Sequence, residues 1–306
     1  MPDNNNIGIA VPDLPQDGQN TGPNNNIKEK GSEIGTIHFK DSDVPLIIFF
    51  GPKGFGKTVA IIRLVRYLRQ TGYSVKPDRT FREGDDYEKI CDQFENITDP
   101  SSHEQPKSTP PTDYMLIKVM EQGNVIFRIL DAAGEDYFKG GDIEEGFPDQ
   151  IKEVFRRARK RVWVFLLSRI WIFDTKYKVH YMMKIKGMKD GTGVNTVVMP
   201  QDKVIFLCTR VDDSKQEVVF RNYSGVNRPD IGLLHRYVRQ EYHQDGVNMF
   251  EPYDNHHLLS SIWRKHNYKF LPYSSCTIDS SGNFNWHDDD GYYPVHLWKA
   301  ISKRSF

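Results

Sequence analysis

From Val44 the chain runs Val44-Pro45-Leu46-Ile47-Ile48-Phe49-Phe50 and then enters a glycine-rich turn. A short, unbroken apolar run closed by a turn predicts a strand buried on both faces, and with it a parallel sheet. Over Thr58 to Gln70 the period changes. Val59, Ile62, Val65 and Leu68 recur at helical spacing, Arg63, Arg66 and Arg69 line another side, and Thr71-Gly72 closes the run. This predicts an amphipathic helix whose arginine stripe is its solvated face. Tyr114 to Met120 and Asn124 to Leu130 flank Glu121-Gln122-Gly123 and predict a hairpin. Asp149 to Arg161 predicts a helix carrying Ile151, Val154, Phe155 and Ala158, and Val162 to Leu167 the next buried strand. Lys203 to Cys208 predicts a strand, Leu233 to Tyr242 a helix, Tyr268 to Tyr273 a short strand, and Val295 to Ser302 a closing helix. Strands alternating with helices predict an α/β fold, a three-layer sandwich around a mostly parallel sheet.

Composition divides the chain. Residues 1–36 are rich in Asn, Gly, Pro, Asp and Gln, with too little apolar surface to offset ordering entropy, and are expected to be a disordered tail. Residues 37–306 are expected to form one domain, with stretches at about 73–112, 169–200 and 244–267 read as insertions. Lys plus Arg number 41 and Asp plus Glu number 41, so no global field recruits nucleic acid or an anionic membrane. A nucleic-acid partner is not expected. The longest apolar run, Val162 to Phe173, is broken by Ser168 and Arg169 and falls short of the about 20 residues a spanning helix needs. Met1-Pro2-Asp3 lacks the features of a secretory leader, and three cysteines, Cys91, Cys208 and Cys276, do not make a disulfide framework. The expected location is cytoplasmic, with reduced thiols.

Gly51-Pro52-Lys53-Gly54-Phe55-Gly56-Lys57-Thr58 matches G-x-x-x-x-G-K-[ST]. The bare pattern would arise by chance in roughly one per cent of chains this long, so its placement between a buried strand and a helix carries the weight. Glycines let the backbone curl so that successive amides face a β-phosphate. Lys57 would reach the β and γ oxygens, and the Thr58 hydroxyl would ligate Mg²⁺. Gly51, Gly54, Phe55, Gly56, Lys57, Thr58 and Val59 are therefore candidate cofactor-binding residues in a P-loop NTPase sandwich. The strand ending at Leu130 runs into Asp131-Ala132-Ala133-Gly134-Glu135-Asp136. There an aspartate could hold a magnesium water and the Gly134 amide could sense a γ-phosphate. Further on, one strand runs into Thr209-Arg210-Val211-Asp212 and another into Ser274-Ser275-Cys276.

This ordered set resembles the motifs of the Ras-like, TRAFAC-class GTPases. Asp131 to Gly134 resembles the switch II D-x-x-G, Thr209 to Asp212 resembles N/T-K-x-D, and Ser274 to Cys276 resembles the S-A-K loop. The resemblance implies that Asp212 accepts hydrogen bonds from guanine N1 and N2, that the Arg210 stem covers one face of the base, and that the amide after Ser275 contacts O6. It spans about 44–306, and the long insertions give an overall look similar to the double-GTPase families of bacterial conflict systems. Cys276 departs from the usual residue, and Arg replaces Lys at 210, where a guanidinium stacks well. Glu135 stands where Ras-like enzymes carry the glutamine that orients the attacking water; a carboxylate there places negative charge near the γ-phosphate and implies slow hydrolysis. Lys57, Gly134 and Glu135 are the candidate catalytic residues.

The candidate metal ligands are Thr58, Asp131 and a switch I threonine, which is either Thr109 or Thr112, 22 and 19 residues before Asp131. In the Arg79 and Arg82 region an arginine finger competes with surface ion pairing. Arg156-Arg157-Ala158-Arg159-Lys160-Arg161 reads as a solvated face, with docking to an acidic partner or a phosphate backbone as its rival. His256-His257 and His287-Asp288-Asp289-Asp290 lack the spacing of a metal site. The expected function is a regulatory switch binding GTP or GDP with Mg²⁺, hydrolysing GTP slowly and engaging a protein effector through loops at 109–112 and 134–147. The rivals are a P-loop ATPase or kinase with Asp131 as its Walker B acid, and a hydrolysis-deficient nucleotide-dependent scaffold.

Overall fold

The first apolar run forms β1 (Leu46–Phe50), buried at every residue, and the glycine turn after it opens α1 (Lys57–Gln70). Next come β2 (Ser74–Pro77), α2 (Asp85–Ile97), β3 (Tyr114–Glu121), β4 (Asn124–Ala132), α3 (Asp149–Arg157) and β5 (Arg161–Ser168). α4 (Thr175–Asp190), β6 (Lys203–Thr209), β7 (Phe220–Tyr223), β8 (Val226–Pro229) and α5 (Ile231–Glu241) follow. The chain closes with β9 (His243–Gln244), β10 (Val247–Asn248), β11 (Lys269–Pro272), β12 (Cys276–Ile278), β13 (Phe284–Trp286) and α6 (Tyr292–Ser302). This computed structural model describes residues 36–52, 54–102, 114–132, 148–168, 175–190, 197–209, 211, 220–223, 226–254, 267–278, 284–286 and 291–303. They lie within the unit Ile34–Phe306. The tail expected at residues 1–36 falls, except for Thr36, outside the described residues.

Seven strands form the main sheet in the order β11-β6-β5-β1-β4-β3-β2. β1 pairs in parallel with β4 and β5, β5 with β6, and β6 with β11. β3 pairs antiparallel with both β4 and β2, so it alone runs against the other six. The β3–β4 turn uses Gln122 at φ 50° and Gly123 at φ 82°, the left-handed pair that matches the twist of a tight hairpin. α1 and α6 pack together on one face of the sheet. The other face meets α3 through Phe155 against Trp163 and α4 through Tyr181 stacked on Phe50. The expected three-layer α/β sandwich with a mostly parallel sheet is what forms.

Two of the stretches read as insertions belong to the layers. Residues 169–200 contain α4, the crossover that parallel β5 and β6 require, with Tyr181, Met182, Ile185 and Met188 buried. Residues 73–112 add β2 to the sheet edge. That edge is closed, because Arg69 donates from Nε and Nη2 to the Val75 carbonyl at 3.1 and 2.8 Å, and Pro77 has no amide hydrogen.

The arginine stripe of α1 corrects the sequence expectation: it is not solvated. Arg63 is 0% and Arg66 2% exposed. The Arg66 guanidinium donates to the carbonyls of Ile97, Asp99, Pro100 and Ser102 at 3.2, 2.6, 2.8 and 3.3 Å. α1 contains no aspartate or glutamate, and Arg66 and Arg69 find their acceptors on the stretch after it. α3 also ends earlier than periodicity suggests. Ala158 turns extended, and Ser42 takes up main-chain groups on either side, donating to the Arg157 carbonyl and accepting from the Arg159 amide. α6, conversely, begins before Pro294, a residue that a first helical turn accommodates because no amide partner is lost there.

Candidate functional site

The parallel strands β1, β4, β6 and β11 end at one edge of the sheet, where α1 begins, and their carboxyl ends open the kind of crevice in which α/β folds place ligands. Gly51 leaves β1 so close to β5 that a Cβ there would sit 3.0 Å from the Leu166 Cβ. Gly54 and Gly56 take φ of 80° and 81°, which glycine adopts without strain. Between them the Phe55 ring is fully buried, edge-on to Tyr181 with centroids 5.7 Å apart. The loop is thus anchored from inside by one aromatic side chain while its glycines turn the backbone outward.

Lys57, 6% exposed, donates from Nζ to the Gly51 carbonyl at 2.7 Å and the Pro52 carbonyl at 3.1 Å. Its ammonium therefore stands at the mouth of its own loop on neutral oxygens. Thr58 donates from Oγ1 to Asp131 Oδ2 at 3.2 Å, joining the start of α1 to the end of β4 across a sequence separation of 73 residues. Asp131 is 3% exposed. A hydroxyl and a carboxylate brought together this way are hard oxygen donors of the kind Mg²⁺ takes. The first turn of α1 carries no acidic residue, so the positive end of the helix dipole suits an anion. Val59 is half-buried in that turn.

The later motifs arrive at the same edge. The Thr209 hydroxyl, 5% exposed, donates to the Phe55 carbonyl at 3.0 Å and the Leu167 carbonyl at 3.2 Å, so Thr209 ties the end of β6 to the glycine loop. Ser274 is buried and Ser275 half-buried just past β11, and Cys276 begins β12. Tyr273, a residue the sequence reading did not single out, donates from its amide to the Cys208 carbonyl at 2.7 Å and from its hydroxyl to the Ala60 carbonyl at 3.2 Å. Tyr181 was also missed, and donates to the Leu166 carbonyl at 2.7 Å. Burial pushes both phenols well above their usual pKa, which keeps them donors at any physiological pH. The signal for Tyr181 was the aromatic Phe55 inside a glycine loop, which demands an apolar partner.

Thr109, Thr112, Gly134, Glu135, Arg210 and Asp212 lie outside the described residues, as do Lys53, His256-His257 and His287 to Asp290. Arg79 is engaged by three carboxylates of α2, those of Glu88, Asp92 and Glu95, the latter two at 2.6 and 3.1 Å. Ion pairing is thus its role here. Of the basic stretch after α3, Arg156 and Arg157 pair with Glu153, whereas Arg161 is buried against Asp202. Among the described residues no group of His, Cys, Asp and Glu of metal-site size occurs, and no helix is long and apolar enough to cross a membrane. Cys91 and Cys208 are buried.

No family model matches the chain, and no curated protein matches it. Among solved structures it is similar to the signal recognition particle receptor SRb-GTP/SRX complex from Chaetomium thermophilum, with a TM-score of 0.41 and 11% identity over 85% of this chain and 98% of that one. So loose an overlay carries nothing for function, and it offers no support for the narrower double-GTPase resemblance.

Proposed function

We propose that this chain is a guanine-nucleotide switch that binds GTP and GDP with Mg²⁺ at the Gly51–Thr58 loop, hydrolyses GTP slowly, and signals its state to a protein effector. The observation that carries the reading is the meeting of Thr58 Oγ1 with Asp131 Oδ2 at 3.2 Å, at the end of a glycine loop whose Lys57 ammonium rests on the Gly51 carbonyl. That is the donor set a magnesium-bound triphosphate needs, at a helix N-terminus already shaped for an anion. Bound Mg²⁺ supplies charge neutralisation at the β and γ oxygens. Lys57 contributes a second, fixed cation, and Thr58 and Asp131 offer oxygens to the metal and its water.

The choice of guanine rests on Asp212 following Thr209, whose hydroxyl holds the end of β6 against the loop. A carboxylate facing guanine N1 and N2 receives two donor hydrogens. Adenine presents an acceptor at N1 and would leave that carboxylate unpaired, at a cost of about 3 kcal/mol or more than a hundredfold in affinity. Competition titrations with GTP, ATP and XTP test this: the wild type is expected to prefer GTP strongly, and Asp212→Asn to shift toward XTP. Equal affinity for GTP and ATP in the wild type would favour the ATPase reading. Lys57→Ala is expected to abolish nucleotide binding without unfolding the chain, since Lys57 touches loop carbonyls rather than the apolar core. Slow turnover rests on Glu135, and a faster single-turnover rate in Glu135→Gln would support it.

A further inference from the structure

We propose that Trp286, whose ring faces the Arg66 guanidinium, positions the loop Ser274–Cys276 for reading the O6 of a guanine base. The proposal deepens the guanine reading and rests on it. The loop does not run free after Cys276: it enters a two-stranded ribbon in which Cys276 lies opposite Trp286, Thr277 opposite Asn285 and Ile278 opposite Phe284. The Arg66 guanidinium stands 5.4 Å from the centroid of the Trp286 ring, within the range of an attractive cation–π contact.

Arg66 is a fixed platform. It is 2% exposed, and its bonds to the carbonyls of Ile97, Asp99, Pro100 and Ser102 hold the guanidinium plane in place. The other end of the loop is held by Tyr273, whose hydroxyl donates to the Ala60 carbonyl at 3.2 Å. Ala60 and Arg66 both belong to α1, six residues and about 9 Å of helix rise apart. The loop is thus tied to one helix before Ser274 and after Cys276, and that helix starts in the phosphate cradle. A main-chain amide discriminates between bases only when its position relative to the phosphates is fixed in advance. Where the resembling motif carries Ala-Lys, this chain carries Ser275-Cys276, and the pinned ribbon supplies the rigidity.

The test compares GTP with 6-thioguanosine triphosphate, which replaces only O6 by a poorer acceptor, binding to the full chain with Mg²⁺. The wild type is expected to prefer GTP. In Trp286→Leu, GTP affinity is expected to fall about tenfold, the worth of roughly one hydrogen bond, while affinity for the thio analogue holds and the preference collapses. Trp286→Phe, which keeps a ring over Arg66, is expected to retain most of the preference. A preference left intact in Trp286→Leu overturns the proposal, as does an equal loss of both nucleotides, which would mark a general structural role. Equal behaviour of the Leu and Phe variants overturns it too. A wild type that binds ATP as well as GTP overturns the guanine reading itself. A wild type that separates GTP from ATP, paired with an unchanged GTP-to-thio ratio in Trp286→Leu, removes the positioning role alone.

Discussion

Two stretches of this chain carry arginine at short intervals and use it in opposite ways. On α1, Arg63 and Arg66 are buried, and Arg66 and Arg69 reach main-chain carbonyls of residues 75–102. At the end of α3, Arg156 and Arg157 lean on Glu153, three and four residues back on their own helix, and Arg159 reaches Asp43 at the surface. The difference follows from acceptors. α3 supplies its own carboxylate at helical spacing, so its arginines are satisfied locally and in water. α1 has none, and Arg66 and Arg69 become the fastening between the glycine-loop helix and the segment beside it. Partial burial even lowers the Arg69 pKa below its usual value.

The comparison breaks most visibly at Arg66. Arg66→Met removes the donors from four carbonyls at once, that of Ile97 buried, and a loss of about 4 kcal/mol is expected from the lost charge-assisted bonds together. Urea unfolding would measure it, and a loss below about 1 kcal/mol would show that the clamp is dispensable. Arg66→Lys should recover only part of the loss, because one ammonium cannot reach a planar fan of acceptors.

Asp202 comes next and shows where the second stretch stops behaving like a surface. Arg161, 8% exposed, bonds Asp202, which also accepts from Trp163 Nε1 at 3.0 Å and the Met199 amide at 3.0 Å. Asp202→Ala leaves the buried Arg161 guanidinium with the Phe155 carbonyl but without its carboxylate, and takes the acceptor from the Trp163 indole, at a cost of about 3 kcal/mol. The double variant Arg161→Met with Asp202→Ala should be less damaged than Asp202→Ala alone, and equal damage would mean that the carboxylate's bonds to Trp163 and Met199 matter more than the charge pair.

These contrasts mark what the sequence could say. β1, the glycine loop and α1 were legible because an apolar run, a turn and a 3.6-residue period are local signals, and each residue reports its own environment. The Thr58–Asp131 contact was legible only through the order of motifs, since it joins residues 73 apart. The fate of Arg63 and Arg66 was not legible from periodicity, which shows that a stripe exists without showing what faces it. The missing clue was an absence, a helix with three arginines and no acid. α4 was hidden for a related reason: Lys176, Lys178, Lys184, Lys186 and Lys189 interrupt its apolar positions, yet Lys184 is itself buried.

The smallest effect sharpens the comparison from the solvent side. Hydrogen bonds from Arg156 and then Arg157 hold the Glu153 carboxyl down from 4.5 to about 2. A depressed carboxylate stabilises the fold above its unfolded pKa and loses that contribution as pH falls through the folded value, so the window lies between about pH 4.5 and 2. Glu153 is exposed to water, and salt screens such pairs. Glu153→Gln should therefore melt like the wild type at physiological salt. It should fall measurably below it only at low ionic strength and neutral pH, and converge with it again as the solution is acidified through that window. A large loss that persists in high salt would mean that Glu153 matters by aiming Arg157, which donates to the Phe39 carbonyl at 2.7 Å, and the end of α3 would then be a fastening like α1 rather than its opposite.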